Sequence, residues 1–124
     1  MGGESDSMAS LIQPISKLLS SVTRRAESSY AIGVDVGTTS VKTGLIDGEG
    51  ELLASYSETY EKTFPRESWV EQDPFDWTRL IEEAFSSFDK TVRLEKVRTL
   101  CICSQVNTHV FVDKDGRPLM PAIV

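Results

Sequence analysis

Histidine occurs once and cysteine twice among the 124 residues, so a metal site built around thiolates would be short of ligands. Cys101 and Cys103 stand two apart in an apolar run. On a strand both would point to one face, and their closeness makes a mutual disulfide geometrically poor. They are expected to be buried, reduced thiols in a reducing, cytosolic compartment. No apolar run reaches the roughly 18 residues that a membrane span needs. Basic charge is also scarce: 13 Lys and Arg stand against 19 Asp and Glu, a net charge of -6. In residues 1–29, Glu4, Asp6 and Glu27 offset Lys17, Arg24 and Arg25, so the excess lies in the remainder. An acidic body without a basic stripe excludes nucleic acid as the main partner. Repeats and low-complexity tracts are missing as well.

What is present suits one globular unit with a small core, since 40% of the residues are hydrophobic and the length is too short for two full domains. Residues 1–29 are read as an N-terminal extension, amphipathic or disordered. Met8, Leu11, Ile12, Ile15, Leu18, Leu19 and Val22 follow helical spacing. The stretch from Met8 to Arg25 lacks acids and is rich in Ser, which leaves organelle import as the alternative to a docked or frayed extension. The domain itself is expected from residue 30 to residue 124.

Alternation marks a strand from Ala31 to Val36, with Ile32, Val34 and Val36 on one side and Ala31, Gly33 and Asp35 on the other. Gly37 to Ser40 turn the chain, Val41 to Ile46 form a second strand, and a third runs from Leu52 to about Tyr60. Residues 61–73 read as a polar connection. Asp73 as cap, Pro74 at the first position and the stripe Trp77, Leu80, Ile81, Ala84, Phe85 and Phe88 then predict a helix. "VRTLCIC" at 97–103 has the composition of a buried strand. "HVFVDKDGRPL" predicts another strand entering a Gly-containing turn, and the closing "LMPAIV" predicts a strand cut short. A helix between strands three and four allows the fourth to lie parallel to an earlier strand.

The turn carries the chemistry. Gly37, Thr38 and Thr39 expose backbone N–H groups and hydroxyls at one spot, a concave anion site of the kind phosphates need, and Gly37 has no Cβ to prevent close approach. Asp35 beside such a site would repel phosphate unless a cation intervened. It therefore implies Mg²⁺, which takes few protein carboxylates and keeps several waters. Lys42 would add positive charge. A plain hairpin with a solvent-facing lysine is the alternative.

"IGVDVGTTSVKTGLID", "WVEQDPFDW" and "ICSQVNTHVFVDKDGRPLMPAIV", in that order, resemble the N-terminal part of the FGGY carbohydrate kinases, a group that includes xylulose, ribulose, gluconate and glycerol kinases. The Asp-x-Gly-Thr turn alone would suggest only the wider actin, Hsp70 and sugar kinase superfamily. The resemblance implies an α/β fold of the ribonuclease-H-like class with a mixed β-sheet, here an incomplete N-terminal domain. It further implies ATP and Mg²⁺ as cofactors, Asp35 reaching the metal, and Gly37, Thr38, Thr39 and Lys42 lining the nucleotide phosphates. A sugar, polyol or sugar acid would be the substrate.

By the same resemblance, the loop "CSQVNTH" recognises substrate through Gln105, Val106 and Asn107. Gln105 falls on the family's shared glutamine. Val106 replaces the Met of xylulose kinases or the Arg of glycerol kinases, and Asn107 replaces their His or Glu. Glycerol is thereby disfavoured, and no one sugar is favoured. Amides donate and accept, which suits hydroxyls; satisfying their own loop is the alternative role. His109 is expected as a strand residue, Trp77 as a core residue and Trp69 as packing under the loop. The aspartate base of the family is expected beyond Val124, so the chain is read as an N-terminal fragment, inactive alone, whose partner is the missing C-terminal part of the kinase. A homodimer is left open, and a non-catalytic sugar- or phosphate-binding regulator is the alternative function.

Overall fold

The computed structural model describes residues 29–124. The expectations for the amphipathic stretch and the import signal fall on residues outside that range. Period-two alternation builds the first three strands: β1 (Tyr30–Val36), β2 (Ser40–Ile46) and β3 (Leu52–Thr59). They form an antiparallel meander, and β5 (Val97–Ser104) adds to the other edge of β1 in parallel, giving the order β3-β2-β1-β5. The intervening α1 (Pro74–Phe88) makes the parallel return possible.

The two faces of this mixed sheet differ in chemistry. Ile32, Val34 and Val36 of β1 and Val41 and Leu45 of β2 are buried, and they form one core with Tyr60, Leu80 and Phe88. The opposite face presents Gly33, Asp35, Lys42, Gly44, Cys101 and Cys103 around a shallow hollow. Asp35 lies opposite Lys42 on one side and opposite Cys103 on the other.

α1 forms where the sequence places it. The Asp73 carboxylate accepts from the Phe75 N–H at 2.9 Å, and Pro74 occupies the first turn. Leu80, Ala84 and Phe88 are fully buried, while Trp77, Ile81 and Phe85 pack half-buried against the same core. Asp73→Ala leaves that first-turn N–H without its acceptor, at a cost of about 1 kcal/mol. A fall in melting temperature of roughly 4–8 °C is the expected result in thermal circular dichroism. Across from the stripe, the Tyr56 phenol of β3 donates to Glu83 at 2.8 Å. Desolvation, helped by the Glu83 hydrogen bond and charge, pushes that phenol up to about 12. The neutral phenol is thus the form that folding favours. Its contribution is complete below the ordinary value of 10.0 and is lost as pH rises through 12.

Three expectations need correction. The strand at 97–103 exists, but it is exposed along nearly its whole length, because α1 packs over β2 and β3 and leaves the β5 edge uncovered. Leu100 and Ile102 are 50% and 56% exposed, and Cys101 and Cys103 are free and exposed rather than buried. Residues 109–118 make only the isolated bridges Val112–Pro118 and His109–Ile123. Pro118 and Pro121 lack the N–H that a continuous ladder requires, although the turn at Gly116 (φ 78°) forms as expected. The connection at 61–73 is not wholly irregular, since β4 (Glu71–Gln72) pairs antiparallel with β6 (Ala122–Ile123). Among the described residues no helix is long and apolar enough to cross a membrane.

Candidate functional site

The β1–β2 turn is closed by the Gly37 N–H donating to the Ser40 carbonyl at 3.0 Å. A Cβ on Gly37 would stand 3.3 Å from that carbonyl oxygen, a tight contact that glycine avoids. Three successive carbonyls of the turn point into the protein. The Gly37 carbonyl accepts from the Tyr60 phenol, that of Thr38 from Gln72 Nε2 at 2.9 Å, and that of Thr39 from the Tyr60 N–H at 3.3 Å. Burial raises the Tyr60 phenol above its ordinary value, which keeps it protonated as a donor. The Thr38 and Thr39 N–H groups and hydroxyls engage no partner among the described residues, and both residues are exposed. With acceptors held inward and donors left outward, the turn offers an anion the polarity it requires.

Asp35 projects from the open face one strand position before Val36, the last residue of β1. Its Oδ1 accepts from the Cys103 thiol at 3.5 Å. Desolvation, followed by that hydrogen bond and the Asp35 charge, holds the thiol above its ordinary value, so Cys103 remains a donor here. Lys42 faces Asp35 across the ladder, yet no ion pair joins them within 4 Å. Among the described residues no three His, Cys, Asp or Glu side chains converge as a metal cage. A single carboxylate beside free N–H donors fits the chemistry of Mg²⁺, which binds through one or two carboxylates with phosphates and waters as its other ligands.

The loop after β5 reaches the same place from behind. The Gln105 N–H donates to the Val36 carbonyl at 2.8 Å, and its Nε2 donates to Gln72 Oε1 at 2.8 Å. Gln105 Oε1 is buried without a partner, as is Thr108 Oγ1. Val106 is 82% exposed, and Asn107 is exposed with a left-handed backbone (φ 57°). Gln105 is therefore joined to the turn through Gln72, whereas Val106 and Asn107 make no hydrogen bond to it. His109 exchanges backbone hydrogen bonds with Ile123 as a strand-like residue. Trp77 packs on the core edge-on to Tyr60, and Trp69, instead of packing under the loop, is 51% exposed beneath the Arg66 guanidinium.

Sequence reasoning missed Gln72, Tyr60 and Cys103 as members of this site. Gln72 lies within "WVEQDP", but a glutamine before a helix cap carries no periodic signal. Its role depends on contacts 34 and 33 residues away.

Residues 30–124 match the N-terminal domain of the FGGY family of carbohydrate kinases. Similar proteins include a xylulose kinase of Escherichia coli, 33% identical over 93 residues, which are 75% of this chain and 19% of that enzyme. A glycerol kinase of Caldanaerobacter subterraneus is 33% identical over 100 residues, 78% of this chain and 20% of the other. Among solved structures, the gluconate kinase of Lactobacillus acidophilus superposes with a TM-score of 0.70 at 27% identity, covering 77% of this chain and 19% of that one. The chain thus spans about a fifth of the length of the relatives it matches.

Proposed function

The chain belongs to the FGGY family of carbohydrate kinases, and from that premise we propose that it supplies the phosphate turn and part of the sugar loop for ATP-dependent phosphorylation of a sugar or polyol hydroxyl. The observation that carries this reading is the polarised turn, its three carbonyls tied inward and the Thr38 and Thr39 N–H groups left free beside Asp35. Magnesium-bound ATP supplies the transferable phosphoryl group and the cation that offsets its charge. Asp35 would hold that cation directly or through water. Thr38 and Thr39 would donate to phosphate oxygens, Gly37 would keep the approach open, and Lys42 would add a point charge on the same face. Gln105 and Asn107 would meet substrate hydroxyls, with Val106 as an apolar neighbour between them.

Positioning is most of what such a site contributes, because the loose transition state asks the protein for alignment and charge stabilisation more than for covalent chemistry. The relatives named above act, by their names, on xylulose, glycerol and gluconate, so the proposal extends to the class of polyhydroxylated substrates. The setting proposed is cytosolic, a reducing compartment in which the exposed Cys101 and Cys103 would stay as thiols. The test uses the kinase that carries this segment, assayed for ATP consumption with xylulose, ribulose, gluconate and glycerol, with and without EDTA. Magnesium-dependent turnover of at least one, with glycerol poor, is the expected result. Nucleotide binding indifferent to EDTA, with no turnover of any of the four, overturns the proposal.

A further inference from the structure

Gln72 is 1% exposed, and its single amide group touches both halves of the site. The polarity of those contacts can be read without ambiguity, because one of them ends on a backbone carbonyl. The Thr38 carbonyl can only accept, so the group that Gln72 presents to it at 2.9 Å is the NH₂. The other end of the same amide is then Oε1, an acceptor, and it faces Gln105. Gln105 must answer with its own NH₂, as it does at 2.8 Å. This commits Gln105 Oε1 to the far end of the chain of amides, where it is a buried acceptor with no partner. A buried acceptor left unpaired is costly, and a group able to donate to it is the complement it lacks.

We propose that Gln72 is a positioning residue that sets the hydrogen-bond polarity of the sugar loop from the phosphate turn, and that Gln105 Oε1 thereby becomes the acceptor for a substrate hydroxyl. This rests on the functional reading above. Gln72 touches neither ligand. It acts through Thr38 on one side and through Gln105 on the other. An oxygen that carries only lone pairs, such as a carboxylate oxygen, does not match this atom, whereas a hydroxyl does. The backbone bond from the Gln105 N–H to the Val36 carbonyl fixes the loop at the point where the amide chain reaches it, so the side chain has a defined base from which to point.

Two substitutions separate the arms. Gln72→Met keeps length and burial but removes both hydrogen bonds. Gln72→Glu keeps the acceptor toward Gln105 and, assayed at a pH high enough to ionise a carboxyl that burial would otherwise keep protonated, loses the donor toward Thr38. In the kinase, Gln72→Met is expected to raise KM for both magnesium-ATP and sugar by about tenfold, and Gln72→Glu to raise KM for magnesium-ATP alone, with kcat changing less than KM. A merely structural glutamine would move both constants together in both variants, and that pattern overturns the proposal, as does no change in either. A second measurement decides the polarity independently of catalysis. In the protein without ligands, the Gln105 side-chain NH₂ signals in a ¹⁵N–¹H spectrum should be shifted and slow to exchange, and should move to the values of a free glutamine in Gln72→Met. Unchanged Gln105 signals overturn the proposal whatever the activity. If the wild-type kinase turned over no sugar while these signals behaved as expected, the functional reading would fall and the amide chain would stand.

Discussion

Asp35→Asn is expected to lower turnover of the kinase by about a hundredfold or more, the scale seen when one electrostatic contact to a transition state is removed. The substitution is almost isosteric. The asparagine Oδ1 still accepts from the Cys103 thiol, which lies 3.5 Å from the present carboxylate, and the residue stands on the exposed face away from the core. Folding should therefore be spared, and the loss should appear as a raised magnesium requirement. Steady-state rates measured across a magnesium titration, with a denaturation curve as control, give the answer. Lys42→Ala, on the neighbouring strand, should cost only a few-fold, because a flexible lysine on an open face is well screened. Equal turnover in Asp35→Asn and wild type would show that the carboxylate has no part in handling the cation.

Phe88→Ala is expected to cost about 3–5 kcal/mol of folding stability. Phe88 closes α1 at 0% exposure and belongs to the same core cluster as Leu45 and Leu80. Domains of this size hold only about 5–15 kcal/mol in all, so a large fraction of the margin disappears with one ring. Phe75 on the same helix is 58% exposed, and Phe75→Ala should stay within about 0.5 kcal/mol. Urea denaturation followed by tryptophan fluorescence compares the two. Similar midpoints would mean that α1 does not seat on the sheet through its Leu80–Ala84–Phe88 stripe.

The meander and the helix were legible because their signals are local. Alternation at 31–36 and 41–46, a cap at Asp73 and a stripe of period 3.6 each depend on neighbours in the chain. The Asp35 turn was legible for another reason: a carboxylate at the end of an apolar strand, followed by Gly and two Thr, has few structural uses. What could not be read was set by tertiary partners. The apolar composition of residues 97–103 reads as buried, but whether a strand is covered depends on where the helix lands, and α1 lands on β2 and β3. The reading of residues 109–124 as strands passed over Pro118 and Pro121, which lack the ladder N–H, and the pairing of residues 71–72 with 122–123 depends on chain separations that no periodicity encodes. Gln72 was hidden in the same way. A buried glutamine that orders two distant segments has no spacing of its own.

The pair of thiols on the Asp35 face bears on how the protein is handled. The neighbouring Asp35 carboxylate keeps Cys103 a thiol and so slows its oxidation. Peroxide treatment that carried it to a sulfinic acid would nevertheless exchange a hydrogen-bond donor for a second anion beside the carboxylate, a change that ordinary reductants do not reverse. Such treatment would disturb the Asp35 side of the turn while circular dichroism still reported an intact fold. A peroxide-treated preparation that loses activity without losing its melting transition should be weighed by mass spectrometry for added oxygen atoms at Cys103.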